Sequence, residues 1–161
     1  MNLKTNENLT MLVDFYEFTM ANGYLENGVG EMQACFDLFF RRVPDGGGYA
    51  IFAGLEHFIA YLNTLSFSDE DIEYLRSKGI FSENFLEYLR NFKFECDVYA
   101  VKEGTPVFPG EPLMVVKGPV IQAQLVETMA LLLINHQSLI ATKANRIVRA
   151  ADGRPVMEFG S

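Results

Sequence analysis

Apolar residues recur in two distinct rhythms along the chain, and the switch between them divides it. Residues 11–27 carry Leu12, Phe15, Tyr16, Thr19, Met20 and Gly23 at the i, i+3, i+4, i+7 spacing of an amphipathic helix. Residues 32–40 change to alternation, with Phe36, Leu38 and Phe40 on one side and Cys35, Asp37 and Phe39 on the other, which predicts a strand. A loop follows, because Pro44 lacks an amide donor and Gly46, Gly47 and Gly48 tolerate positive φ. Residues 54–62 return to the helical period through Leu55, Phe58, Ile59 and Leu62. Ser68 with Asp71 is a capping-box signal for a helix that Gly79 ends, and Ser82 caps a further one presenting Phe85, Leu86 and Leu89.

From Phe94 the period is β again. Strands are expected over 97–101 and 112–116, separated by turns at Gly104-Thr105-Pro106 and Pro109-Gly110. After Pro119 a helical stretch runs to about Ala150 without an internal glycine or proline. Its apolar residues, Ala123, Leu125, Met129, Leu132, Leu133 and Ile140, predict burial on more than one side. Gly153 breaks it, and Pro155 to Phe159 reads as a new strand. A strand preceded by a long helix is half of a βα unit, so the pattern predicts an α/β chain with an incomplete parallel sheet or barrel.

Charge narrows the functions. Thirteen Lys and Arg against 21 Asp and Glu give a formal charge of −8 over 161 residues. An acidic chain is a poor match for a phosphate backbone or an anionic membrane surface, so neither nucleic acid nor membrane is expected as a partner. No run of consecutive apolar residues reaches the roughly 18 that a span needs. The polar residues 1–10 lack the apolar stretch of a secretory signal. Cys35 and Cys96 are expected as buried free thiols in a reducing cytoplasm. Two Cys and two His, His57 and His136, scattered along the chain are too few for a zinc site, and no metal ligand set is assigned.

Few residues suggest chemistry by themselves. The triple glycine could cradle phosphate through backbone amides but matches no phosphate-binding fingerprint. Arg41 and Arg42 at a strand end could form a guanidinium clamp, and equally a solvated surface pair. Tyr16 lies on an apolar face with Asp14 and Thr19 nearby. Lys143, Arg146 and Arg149 suit the negative end of the long helix or a phosphate beside it.

Taken in order, LVDFYEFTM at 12–20, FDLFFRRVP at 36–44, GGGYAIFAGL at 46–55, YL at 74–75, FLEYL at 85–89, EGTPVFPGEP at 103–112, ATKA at 141–144 and EFG at 158–160 resemble nicotinate phosphoribosyltransferase over nearly the whole chain from about Leu9. The resemblance implies a type II phosphoribosyltransferase fold: residues 1–118 as an α/β sandwich domain, and 119–161 as the long helix and first strand of an irregular α/β barrel. It implies transfer of the phosphoribosyl group of 5-phosphoribosyl 1-diphosphate to nicotinate, giving nicotinate mononucleotide and diphosphate in the salvage route to NAD. Mg²⁺, ATP as cosubstrate, a phosphohistidine and a cytoplasmic homodimer with shared active sites come with it.

The same resemblance assigns Tyr16 and Phe159 to the two faces of the pyridine ring. Arg41, with Arg42, goes to the phosphoribosyl phosphates, and Thr142 and Lys143 to positions on the phosphate side. Neither His57 nor His136 lies in the segment of the phosphorylated histidine, so no catalytic residue is assigned within this chain. Sister enzymes that take nicotinamide or quinolinate, and a non-catalytic subunit completed by a second chain, are the alternatives.

Overall fold

A computed structural model describes residues 8–43 and 46–159. The polar start at 1–7, the Pro44-Asp45 step of the glycine loop, and Gly160 with Ser161 lie outside the described residues. In chain order the elements are α1 (Phe15–Glu26), β1 (Gln33–Phe39), β2 (Ala50–Ile51), α2 (Leu55–Leu62), α3 (Asp69–Ser77), α4 (Glu83–Arg90), β3 (Asp97–Ala100), β4 (Pro106–Val107), β5 (Pro112–Pro119), α5 (Val120–Gln124) and α6 (Glu127–Ala151).

Both sheets are antiparallel. In the larger, β5 is central, with Phe36 opposite Val116 on one side and Val98 opposite Val116 on the other. One face of it, through Met114 and Val116, packs on a core built from Phe18 and Ala21 of α1, Phe58 of α2, Ile72 and Leu75 of α3, Phe85, Leu86 and Leu89 of α4, and most of α5. The other face is open and carries Asp37, Phe39, Asp97, Tyr99 and Lys117. Cys35 belongs to that open face, so it is exposed and Cys96 half-buried, which corrects the expectation of two buried thiols; both are free. Alternation marks the two faces of a strand but does not say which face another layer covers. Phe36, on the expected inner side, is itself 41% exposed.

The helix starts expected from sequence form as written. Ser68 and Asp71 close a full capping box at α3, and the Ser82 hydroxyl takes the Phe85 amide at α4. The stretch after Pro119 differs in two ways. It is interrupted at Leu125-Val126, where α5 ends and α6 begins. It also buries one side only: Met129, Ala130, Ile134, Ser138 and Thr142 are buried, while Leu131, Leu132 and Ile140 are about half-exposed. The elements described here supply a layer against one side of α6, and the expected second layer is absent among the described residues. By length and composition the span Val120–Ala151 is apolar enough to cross a membrane, although its charged and amide residues prevent any unbroken apolar run.

Residues 155–159 are not a strand in this structure. A strand is defined by its ladder, and no ladder among the described residues includes them. Conversely, β2 and β4 form a two-stranded ladder, Ala50 opposite Val107 and Ile51 opposite Pro106, where sequence suggested only loop and turn. That small ladder, with Phe52, Leu113 and Ile134, makes a second core.

Candidate functional site

The second core exists because α6 grips the segment 49–54 with a row of side chains on one of its faces. Ser138 Oγ accepts from the Ala53 amide (3.0 Å) and donates to the Ala53 carbonyl (3.1 Å). One turn on, Thr142 Oγ1 accepts from the Ile51 amide (2.8 Å) and donates to the Ser138 carbonyl (2.6 Å). A further turn on, Asn145 Oδ1 accepts from the Tyr49 hydroxyl (2.9 Å), and Arg146 Nη2 donates to the Tyr49 carbonyl (3.2 Å). The spacing 138, 142, 145/146 is the i, i+4 geometry that puts side chains in line on a helix. At the start of this segment, Gly47 lies so close to Arg146 that a Cβ would sit 1.7 Å from Nη2. The glycine loop is therefore seated on the basic end of α6.

At the far end of the segment, Glu103 Oε1 accepts from the amides of Gly54 and Leu55, each at 2.6 Å. A carboxylate at the N-terminus of α2 satisfies orphan amides and faces the positive end of the helix dipole.

Arg41 and Arg42 leave β1 between Phe40 and Val43, both of which pack on the second core, and they are exposed. Lys143 is exposed on α6, three residues before Arg146. Thr142 is placed differently: it is buried, and its hydroxyl already serves as both acceptor and donor.

Tyr16 lies elsewhere. It is 46% exposed on the first turn of α1, with the Glu127 carboxylate at the first turn of α6 nearby. Its hydroxyl is pushed up to about 12, by burial first and then by the carboxylates of Glu127, Glu17 and Asp14, so the ring is neutral. Glu127 and Thr142 are fifteen residues apart on one helix, about 22 Å along its axis at 1.5 Å per residue. Phe159, beyond the opposite end of α6, is 84% exposed. Tyr16 and the Thr142 clasp thus lie far apart along α6.

Beside Tyr16 is a residue that sequence reasoning passed over. Glu17 is fully buried, accepts from Thr128 Oγ1, and has its carboxyl pushed up to about 7 by burial and by the nearby carboxylates of Glu127 and Asp14, against the lowering effect of the Thr128 bond. Among the described residues no three His, Cys, Asp or Glu side chains gather as a metal site.

Known proteins resemble this chain over most of its length. The family model described as the nicotinate phosphoribosyltransferase (NAPRTase) N-terminal domain matches residues 11–135. Nicotinate phosphoribosyltransferase pncB2 of Mycobacterium tuberculosis is 44% identical over 151 residues, 94% of this chain and 32% of that protein. The crystal structure of human nicotinic acid phosphoribosyltransferase superposes with a TM-score of 0.81 at 40% identity, over 89% of this chain and 29% of the human chain. A nicotinate-nucleotide pyrophosphorylase from Pyrococcus furiosus, 22% identical with a TM-score of 0.69 over 99% of this chain and 33% of that one, shares the fold. The chain spans about a third of the length of the curated relatives it matches. With the matched residues running from the α1 turn that carries Tyr16 into the middle of α6, this chain belongs to the nicotinate phosphoribosyltransferase N-terminal domain family.

Proposed function

We propose that this chain is the N-terminal part of a nicotinate phosphoribosyltransferase, which joins nicotinate to 5-phosphoribosyl 1-diphosphate and yields nicotinate mononucleotide and diphosphate for NAD salvage. The observation that carries the reading is the match of residues 11–135 to the nicotinate phosphoribosyltransferase N-terminal domain, a stretch that holds the half-exposed Tyr16 and the exposed Arg41 and Arg42. A homodimer in which Tyr16 and Arg41 of one copy serve a site whose Phe159 belongs to its partner would complete each site.

In the transfer, the pyridine nitrogen forms a bond to the anomeric carbon while the bond to the diphosphate oxygen breaks and diphosphate leaves with the electron pair. The residues of this chain contribute position and charge. Tyr16 seats a flat ring, and the guanidinium of Arg41, with Arg42, faces phosphate oxygens as charge builds on the leaving group. Thr142 and Lys143 act on the same phosphate side, Thr142 by fixing the 49–54 segment and Lys143 by its charge. Mg²⁺, coupling to ATP hydrolysis through a phosphohistidine, and the cytoplasmic setting belong to the proposed whole enzyme.

The test is Tyr16→Ala in the full-length protein. We expect the KM for nicotinate to rise about tenfold, equivalent to ~1.4 kcal/mol of lost binding, with the KM for the phosphoribosyl donor unchanged. Equal changes in both would overturn the stacking role. Turnover of nicotinamide or quinolinate in preference to nicotinate would overturn the substrate assignment.

A further inference from the structure

The first turn of α1 carries the D-x-x-E pattern of a capping box, Asp14 as N-cap and Glu17 at the third helical position. Such a box ordinarily closes on itself, each side chain taking the other residue's amide. This one does not. Asp14 makes no side-chain cap bond, and the Glu17 amide donates to the Asp14 carbonyl (2.9 Å). The hydroxyl of Thr128, from the first turn of α6, stands between the two residues. Its Oγ1 accepts from the Asp14 amide (3.1 Å) and donates to Glu17 Oε1 (2.6 Å). The capping box is shared by two helices, and Phe15 and Tyr16 lie between its members, with the Glu127 carboxylate near Tyr16.

The other carboxyl oxygen is the weak point. Glu17 Oε2 is buried with no hydrogen-bond partner, as are Tyr61 Oη of α2 and Gln124 Oε1 of α5. The groups that act on the carboxyl are Asp14 and Tyr16 from α1, Glu127 and Thr128 from α6, and the Tyr61 hydroxyl from α2. Those that carry charge, Asp14 and Glu127, are both carboxylates. A buried negative charge at Oε2 would meet repulsion from both and no hydrogen bond as the Tyr61 hydroxyl now stands, so its formation favours movement of the first turn of α1 toward water.

We infer that Glu17 and Thr128 are positioning residues for Tyr16: the shared box fixes the first turn of α1, and with it the plane of the ring, and holds it fully only while Glu17 keeps its proton. This rests on the proposed role of Tyr16 against the pyridine ring. It adds a pH-dependent element that sits one residue away from the ligand contact.

The experiment measures the KM for nicotinate and for the donor between pH 6 and 8.5 in the full-length enzyme, and the urea unfolding midpoint of the ligand-free protein over the same range. In the unsubstituted protein the nicotinate KM should rise roughly fivefold across pH 7. In Glu17→Gln, which keeps the acceptor for Thr128 but cannot ionise, it should stay flat. Thr128→Val should raise the nicotinate KM at every pH without moving the donor KM, and Thr128→Ser should restore it. A Glu17→Gln profile that follows the unsubstituted enzyme overturns the proposal, as does a Thr128→Val effect equal on both substrates. If Tyr16→Ala leaves the nicotinate KM alone while Glu17→Gln still removes the pH dependence of unfolding, the ring assignment has failed and the helix junction stands.

Discussion

In its C-terminal half α6 grips the 49–54 segment with hydroxyls whose donor and acceptor roles are both used, whereas at its first turn the hydroxyl of Thr128 meets a carboxyl with one oxygen left over. Both contacts join α6 to a distant part of the chain through Ser or Thr. The difference lies in what stands opposite. Backbone amides and carbonyls do not titrate, so the Ser138–Thr142 clasp is indifferent to pH. A carboxyl surrounded by Asp14 and Glu127 is not. Buried polar groups without partners cost about 1–3 kcal/mol each, and the α1–α6 junction keeps such an atom in Glu17 Oε2 while both clasp hydroxyls are matched. The clasp is built to be rigid, and the junction has free energy to release if it moves.

The largest way to break the clasp is at Gly54. Its φ is 104°, and a Cβ there would stand 2.7 Å from the Leu133 carbonyl oxygen, backbone against backbone. Neither neighbour can turn aside as a side-chain tip could. Gly54→Ala is expected to cost about 3 kcal/mol or more, read as a lower urea midpoint at every pH. A cost below about 1 kcal/mol would mean that α2 and α6 can part at little expense.

The junction should answer to pH instead. A carboxyl near 7 in the folded chain and near its ordinary 4.5 when unfolded binds its proton more tightly in the folded state. Below about 4.5 both states are protonated and the junction costs nothing. As pH rises toward 7 the unfolded chain ionises first, so stability falls, and the loss is complete above 7, amounting to roughly 3 kcal/mol. Other carboxylates titrate in the same range, so the decisive quantity is the difference between the unsubstituted protein and Glu17→Gln. That difference should grow between pH 4.5 and 7 in favour of Gln and then level off. A flat difference would mean that the carboxyl is already hydrated.

Thr142 sharpens the comparison, since it was assigned to the phosphate side by resemblance and stands in the clasp by geometry. Removing its hydroxyl strands the Ile51 amide, and Thr142→Val should cost about 2 kcal/mol with no added pH dependence. If stability is unchanged while the donor KM rises, the hydroxyl faces phosphate after all.

How much of this was legible in sequence depended on how far apart the partners are. Ser68 with Asp71, and Ser82 at α4, are local, and their signals were read directly. The β2–β4 ladder joins two-residue strands 56 positions apart, too short to show a period, and it was missed. Ser138 and Thr142 are unremarkable polar residues on a helix until the segment they hold is in place. Leu132 and Ile140 marked an apolar face correctly, but apolarity does not say whether a covering layer is present. Tyr16 and Arg41 gained a role from their surrounding motifs, since an aromatic residue or an arginine alone has none. Half of the junction was visible too: Asp14 and Glu17 carry the box pattern, and what periodicity could not supply was Thr128, 111 residues after Glu17.

The smallest expected effect comes from the box that does close on itself. At α3 the Ser68 hydroxyl takes the Asp71 amide (3.2 Å) and Asp71 Oδ2 takes the Ser68 amide (2.8 Å), all within four residues and on the surface. Ser68→Ala should cost about 1 kcal/mol and leave both KM values and the nicotinate pH profile unchanged, because this cap is bonded to no other helix. It has the same chemistry as the α1 box without the shared hydroxyl, so it separates the cost of losing a cap from the cost of losing a junction. Were Ser68→Ala to raise the nicotinate KM as Thr128→Val does, sensitivity at Thr128 would reflect general loss of stability, and the distinction between the two ends of α6 would have to be given up.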